Sequence, residues 1–378
     1  MKTKRILTLL CAGVMLAGCS EVPEEVISRE QSTAGESLAE TASVGIETVP
    51  AASLDEELPD SAARIKAAGY ENISFAESFS VNAGKAEQLG IYEAERRNDL
   101  TSRADEIFEA FFGSSFDSSA VKSRDAGGVT ELSFEQDLTE LHITDGFFYI
   151  VNKAEAERNL VFTNSDSLLA LFEVRDIFKD ERIKLPEGEA TVGELTERLS
   201  GFLGKLKELG LGDCRPFTAA SLSGEGRTQA TAVLTYRRYF KGLPVFNFNY
   251  QPDGSPDAIS YIYRDNESVS FVSAEKLFSA GFPSAYTEVM QTKALSEIIS
   301  PEKAVETASR ELAPKMKLTA LRLDLVYVPT VPDGSEDGSR VTMRPYWQLA
   351  FGLQPLAEHY ALIDAVSGKV IYCDASRG

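Results

Sequence analysis

What most narrows the folds open to this chain is a rhythm, an amphipathic helix followed by several short strands on tight turns, stated at least twice. Thr191 to Leu209 places Leu195, Leu199, Phe202, Leu203, Leu206 and Leu209 on one face and Glu194, Glu197, Lys205 and Lys207 elsewhere. Gly210 and Gly212 stop that helix. A strand then runs from about Gln229, after the loop Gly224-Glu225-Gly226, to Phe240, and Lys241-Gly242 turns it into Leu243 to Tyr250. Ala258 to Tyr263 and Val269 to Val272 flank Arg264-Asp265-Asn266-Glu267 as a further hairpin. Ser300 is suited to cap a helix with Pro301 at its first position and Lys303 to Leu312 as its body. Strands follow at Leu318 to Val328, Met343 to Gly352 and Tyr360 to Tyr372.

The first half has the same beat, less sharply. Ser61 to Ala68 reads as a short helix with Ser61 as N-cap and Gly69 as its stop. Helical spacing of Leu89, Ile91, Tyr92, Leu100, Ile107, Phe108, Phe111 and Phe112 predicts a longer helix over Gly84 to Phe112. Val129 to Ile143 and Phe147 to Val151 read as strands around Thr144-Asp145-Gly146, and Ser165 to Asp180 as a helix. The expected class is α+β, with helices packed on curved antiparallel sheets.

Charge is placed unevenly. Of a formal net charge of -20, residues 20 to 60 carry eleven acids against one base, Arg29, and no aromatic residue. Such a stretch cannot bury enough apolar surface to offset its ordering entropy, so it reads as a solvated acidic tether. Beyond it, 43% hydrophobic residues with 21 Phe and 13 Tyr are ample for a core. An acidic chain without a basic patch is a poor nucleic-acid binder, and no nucleic-acid partner is expected.

At the N-terminus, Lys2, Lys4 and Arg5 precede an apolar run from Ile6 to Leu16, too short for a stable membrane span and laid out as a secretory signal. Leu16-Ala17-Gly18-Cys19 resembles the lipobox of bacterial lipoproteins. The resemblance implies cleavage before Cys19, acylation of its thiol and attachment to the outer face of the cell membrane through the lipid. The expected organisation is a signal at 1–18, the tether at 19–61, an N-terminal α+β domain at 62–190 and a C-terminal one at 191–378. With Cys11 lost and Cys19 acylated, Cys214 and Cys373 remain. Export permits a bridge between them if their strand and helix ends are adjacent, or two separate thiols.

A second resemblance covers roughly the last half of the chain. Tyr360-Ala361-Leu362-Ile363-Asp364-Ala365-Val366-Ser367-Gly368-Lys369-Val370 is similar to the terminal hairpin of PepSY domains. The helix around Ala304-Val305-Glu306-Thr307-Ala308 and the strand Pro345-Tyr346-Trp347-Gln348-Leu349-Ala350-Phe351 fit upstream of it. Tyr236-Arg237-Arg238-Tyr239-Phe240-Lys241-Gly242-Leu243-Pro244-Val245-Phe246 resembles the strand pair of the propeptide module that precedes thermolysin-like proteases. The resemblance implies tandem PepSY-like, cystatin-like units and a likeness to YycI-type regulators of a sensor kinase. Unlike those, this chain begins with a lipobox instead of a membrane helix. A protease or a sensor ectodomain is the partner implied.

Read as physics, Asp364 with Ser367-Gly368 is turn chemistry in which glycine takes positive φ, and Gly242-Leu243-Pro244 is a bend. Trp347, Tyr346 and Phe351 could line a groove, but a strand with one buried face explains them more simply. His142 and His359 are the chain's two histidines, lie in no metal-ligand spacing, and read as strand-end or surface residues. Pro332-Asp333-Gly334-Ser335-Glu336-Asp337-Gly338 lacks the ligand order of an EF-hand and reads as a solvated hairpin loop. No nucleophile elbow, phosphate loop or dinucleotide fingerprint occurs. The expectation is therefore a non-enzymatic, protein-binding or regulatory lipoprotein, with no catalytic residue, metal or cofactor. A solute-binding lipoprotein or a cell-envelope hydrolase is the alternative.

Overall fold

The computed structural model describes residues 47–374, apart from 56–57, 87, 126–127, 154–166, 174–177, 224–229, 247–267, 272, 276, 284, 313–316, 331–339 and 355–356. The signal, Cys19, most of the tether, the Gly224-Glu225-Gly226 and Pro332–Gly338 loops and the Ala258–Tyr263 strand lie outside the described residues. The fold is α+β, with a few helices against large, mainly antiparallel sheets. Among the described residues no helix is long and apolar enough to cross a membrane.

The chain forms two compact units that are not consecutive halves. Unit 1 comprises Met1–Glu93, Lys241–Arg264 and Met290–Gly378; unit 2 comprises Ala94–Phe240 and Asp265–Val289. The boundary expected between 190 and 191 falls inside unit 2, where Thr191 ends a strand and caps the following helix. Helix Val192–Glu208 needs the sheet on both sides of it in sequence to bury its leucines, so a cut there would leave two open cores.

In unit 2 the strands lie in the order Lys122–Asp125, Thr130–Gln136, Thr139–Thr144, Phe147–Asn152, Leu277–Pro283, Ser268–Phe271, Ala230–Phe240, Asp213–Ser223 and Ser167–Glu173. Every neighbouring pair is antiparallel. One face packs Phe134, Leu141, Ile143, Phe148, Ile150, Leu234, Phe271 and Phe282 against the helices Val192–Glu208 and Ala104–Phe112. The longer helix has the start its sequence asks for. Glu194 N–H donates to Thr191 Oγ1 at 3.1 Å, and Thr191 N–H donates back to the Glu194 carboxylate at 2.8 Å. Its end is a left-handed Gly210, with Leu211 N–H donating to Leu206 O at 2.8 Å.

Three expectations in this half are corrected. The helix predicted over Gly84–Phe112 is a strand, Gly90–Arg96, followed after a short loop and turn by the helix Ala104–Phe112. Burial of Tyr92, Ala94 and Arg96 on alternate positions is a two-residue period that the longer helical window had averaged away. Ser165–Asp180 contains the strand Ser167–Glu173 instead of a helix, paired with Asp213–Ser223. The run Val129–Ile143 is two strands, split by a two-residue turn in which Asp137 and Leu138 both take positive φ (48° and 66°). Leucine is not a turn residue, so sequence carries no sign of it.

In unit 1 the strands Arg340–Gln354 and Leu318–Thr330 pair antiparallel, and Ala357–Asp364 and Val370–Asp374 continue beside the former. Ile73–Asn82 joins Leu318–Thr330 in parallel, a departure from the all-antiparallel expectation. Helix Pro301–Glu311 begins as read: Lys303 N–H donates to Ser300 Oγ at 3.1 Å, with Pro301 at the first position. The Ser61 cap is corrected, because that helix starts at Pro59 and buries Ser61 within it. The end of the stretch expected as tether, up to residue 61, carries secondary structure. Thr48–Pro50 pairs with Glu297–Ile299, so backbone hydrogen bonds order its last residues with little apolar burial.

The Asp364 turn forms as its residues suggest. Asp364 Oδ1 accepts from the Val366 and Ser367 N–H groups at 2.8 and 2.7 Å, and Gly368 sits at φ 75°. Trp347, Tyr346 and Phe351 are all buried, so this strand is covered on both faces rather than one. Trp347 donates its indole N–H to Ile299 O at 3.0 Å. Leucines 323 and 325 point to one side of the neighbouring strand, while Val326 and Val328 meet Phe246 on the other.

Candidate functional site

The unit 2 sheet turns one face to its helices, and the alternate residues of the same strands form an outer face. Register places Ser133, His142, Tyr149 and Gly281 side by side across four strands. Thr235 and Thr218 lie on the same face two and three strands further on, their hydroxyls 2.6 Å apart. Two groups of side chains stand at opposite ends of this row.

The first is built on the hairpin Asp213–Ser223 and Ala230–Phe240. Strand alternation sends Tyr236 and Arg238 inwards, both buried, and leaves Arg237 and Tyr239 half-buried on the outer face. Arg215 stands directly opposite Arg237. Two like charges at one ladder position repel, and the aromatic neighbours answer this. Arg237 Cζ lies 3.6 Å from the centroid of the Phe217 ring, and Arg215 Cζ lies 4.0 Å from that of Tyr239. A bulge between Pro216 and Thr218 brings Phe217 to its arginine. Arg215 also donates to Asp213 at 3.0 Å. Below, Tyr236 donates its hydroxyl to Gly281 O at 2.6 Å, tying this hairpin to the middle of the sheet. The result is a fixed pair of stacked guanidinium groups on a sheet surface. A guanidinium stacked on a ring keeps its N–H donors in its own plane, where carboxylates can meet them edge-on.

The second group surrounds His142, which lies in mid-strand and is buried, not at a strand end or on the surface as expected. Its Nδ1 is 2.8 Å from Glu131 Oε1 and its Nε2 is 3.2 Å from Glu140 Oε2. Both contacts are hydrogen bonds at once only when the ring carries two protons. The ring stacks on Tyr149 at 4.4 Å, nearly parallel. Arg124 pairs with Glu131 at 2.8 Å, and Lys153 reaches Glu135 at 2.6 Å and Glu140 at 3.2 Å. The hydrogen bond to His142 is the chief reason the Glu140 carboxyl is pulled down to about 2. Burial pushes Glu131 up, yet its bonds to Arg124 and His142 outweigh that and hold it below the ordinary range. Carboxylates held this way are permanent anions at neutral pH. The group's chemistry is ionic pairing that fixes four neighbouring strands. No set of three or more His, Cys, Asp or Glu side chains among the described residues is arranged to hold a metal ion.

Other residues singled out from sequence fall elsewhere. Cys214 lies on Asp213–Ser223 in unit 2, partly buried against the core, and Cys373 on Val370–Asp374 in unit 1. His359 is on Ala357–Asp364. The arginine–aromatic pairing was missed because Tyr236-Arg237-Arg238-Tyr239 reads as a motif in one dimension. The signal that could have found it is the alternation itself, which separates Arg237 from Arg238.

No family model matches the chain, and no curated protein does. Among solved structures it is similar to an uncharacterized protein from Eubacterium rectale ATCC 33656, with a TM-score of 0.51 and 11% identity. The likeness covers 78% of this chain and 91% of that one, and it speaks for the fold alone.

Proposed function

We propose that this protein is a lipid-anchored, non-enzymatic binding or regulatory module at the outer face of the cell membrane. In this reading Cys19 carries the anchor, and unit 1 includes a PepSY-like element made of helix Pro301–Glu311 and the strands that follow it to Asp374. The order helix, three long strands and a closing hairpin on Asp364–Gly368 supports that reading. The observation that carries the binding function is the arginine–aromatic group on the outer face of the unit 2 sheet. Arginine and tyrosine are the side chains that most often dominate protein interfaces, and here packing has already paid their ordering entropy.

The face, rather than the edge, is the surface to expect in use. The edge strand Lys122–Asp125 is exposed along its length and carries Lys122, Arg124 and Asp125, the charged dressing that discourages strand addition. By resemblance the partner is an exported protease or the ectodomain of a sensor kinase. The test is crosslinking and pull-down from membranes with the anchor intact, comparing wild type with Arg215→Gln combined with Arg237→Gln. Recovery of one stoichiometric protein, lost in the double variant, is the expected result. Hydrolase activity of the purified protein with no such partner would sink the reading.

A further inference from the structure

The ion pairs around His142 form one continuous series. From the edge strand Lys122–Asp125, Arg124 meets Glu131 at 2.8 Å, and Glu131 meets His142 Nδ1 at 2.8 Å. His142 Nε2 meets Glu140 at 3.2 Å, and Lys153 then joins Glu140 at 3.2 Å to Glu135 at 2.6 Å. Lys122, 3.9 Å from Glu135, returns the series to the edge strand. Its two ends are exposed and its middle is buried, with His142 at 9% and Glu131 at 6% exposure. Glu135 and Glu140 stand directly opposite each other, like charges that need the cation between them. Signs alternate from end to end on one condition: the ring at the centre carries its second proton.

The ring's neighbours are fixed in their charge. His142 itself is the chief reason the Glu140 carboxyl lies at about 2. Burial raises Glu131, but Arg124 and His142 outweigh it and hold it low. The bond to Glu131 raises Arg124, and although burial works against Lys153, its bonds to Glu135 and Glu140 raise it. Tyr149 meets the ring only by stacking, at 4.4 Å. Imidazole is in general the side chain that changes charge between about pH 5 and 8. We infer that the second proton of His142 is a clasp on this edge of the unit 2 sheet. It holds Lys122–Asp125 and Thr130–Gln136 to Thr139–Thr144, and its loss lets the two outer strands open more often. A ring with one proton keeps a donor on one nitrogen and turns a lone pair on the carboxylate at the other. Neither carboxylate takes up the missing proton, since both are held low. Each has a second cation to turn to, Glu131 to Arg124 and Glu140 to Lys153, so the series parts at the ring. The backbone ladder still pairs the strands, so the response is local opening and not unfolding. The bonded form is the protonated one: the clasp is closed on the acid side and is lost as pH rises through the titration of the ring.

The test uses the full-length protein from roughly pH 5 to pH 9, with two measurements. Proton NMR follows the ring: the chain has only two histidines, and His359→Gln leaves His142 alone in the spectrum. Hydrogen exchange read by mass spectrometry, with its intrinsic pH dependence divided out, follows the strands. Protection of peptides from residues 122 to 136 should fall about tenfold across the ring's midpoint, the loss expected for one buried charged hydrogen bond. Peptides from Asp213–Ser223 and Ala230–Phe240 of the same sheet should show no step there. His142→Gln should hold the lower protection at every pH. Should that variant not fold, Glu140→Gln serves, because its amide can donate to the one-proton ring as well as accept from the two-proton one. The step should then shrink to under about threefold while the ring still titrates, which a merely structural role for Glu140 would not produce. A ring that keeps one state over the whole range, a step at another midpoint, or an equal step in the distant strands overturns the inference. So does a full tenfold step in Glu140→Gln.

Discussion

The two sheets of this protein differ in what lies on their second face. In unit 1, Arg340–Gln354 and Leu318–Thr330 are buried on both sides, with Trp347, Leu323 and Leu325 on one and Val326, Val328 and Phe246 on the other. Even the polar residues there are enclosed: Arg322 and Asp324 pair at 3.0 Å, and Asn82 donates to Asp324 at 2.8 Å. In unit 2 the sheet buries one face in leucines and phenylalanines and sets arginine, tyrosine, histidine and glutamate on the other. A strand enclosed twice is committed to stability. A strand enclosed once has alternate positions free to carry charge, and that is where a surface for partners can be built.

The comparison yields graded expectations. The largest effect belongs to unit 1. Trp347→Ala removes a fully buried ring and its bond to Ile299, and should cost about 3–5 kcal/mol in denaturant unfolding. A cost below about 1 kcal/mol would break the claim of double enclosure. Next, Asp324→Asn removes the charge that pairs with buried Arg322 at 3.0 Å. It should cost about 3 kcal/mol, while Arg322→Met combined with Asp324→Leu should cost less than the single change.

A smaller effect is expected at the His142 group. Glu140 has a folded pKa below its unfolded one, so it adds stability above the unfolded value that is lost as pH falls towards about 2. Allowing for solvent screening, the gap in stability between wild type and Glu140→Gln should shrink by about 1–2 kcal/mol between roughly pH 5 and pH 2. Curves that stay parallel over that window would remove the ionic role assigned to this end of the face. Smallest of all, and opposite in sign, is Leu138→Gly. Leu138 is exposed at φ 66°, and glycine should raise stability by about 0.5–1 kcal/mol in thermal melts.

Where sequence reading succeeded, the cause was local. Thr191 with Glu194, Ser300 with Pro301, and Asp364 with Gly368 are hydrogen-bonding devices complete within four or five residues, so the residues name the structure. Where it failed, a distant partner decided. Gly90–Arg96 and Ser167–Glu173 have helix-compatible apolar spacing and became strands because other strands were there to pair with them. The Asp137-Leu138 turn is closed by the pairing of Leu132 to Gln136 with Thr139 to Ile143, not by the chemistry of its own residues. At the candidate site each residue was visible and its grouping was not: Arg215 and Arg237 are distant in sequence and face each other only through the hairpin register.

The sequence by itself determined the α+β class, the Thr191 and Ser300 helix caps, the Gly210 and Gly368 turns and the uneven placement of charge, since each follows from composition or from contacts within a turn of chain. Only the tertiary structure decided that the units interleave along the chain, that His142 lies between two carboxylates, and that one arginine of an adjacent pair is buried while the other stands on an aromatic ring. Those outcomes depend on strand register, where a shift of one residue exchanges the two faces, and register is set by the whole sheet.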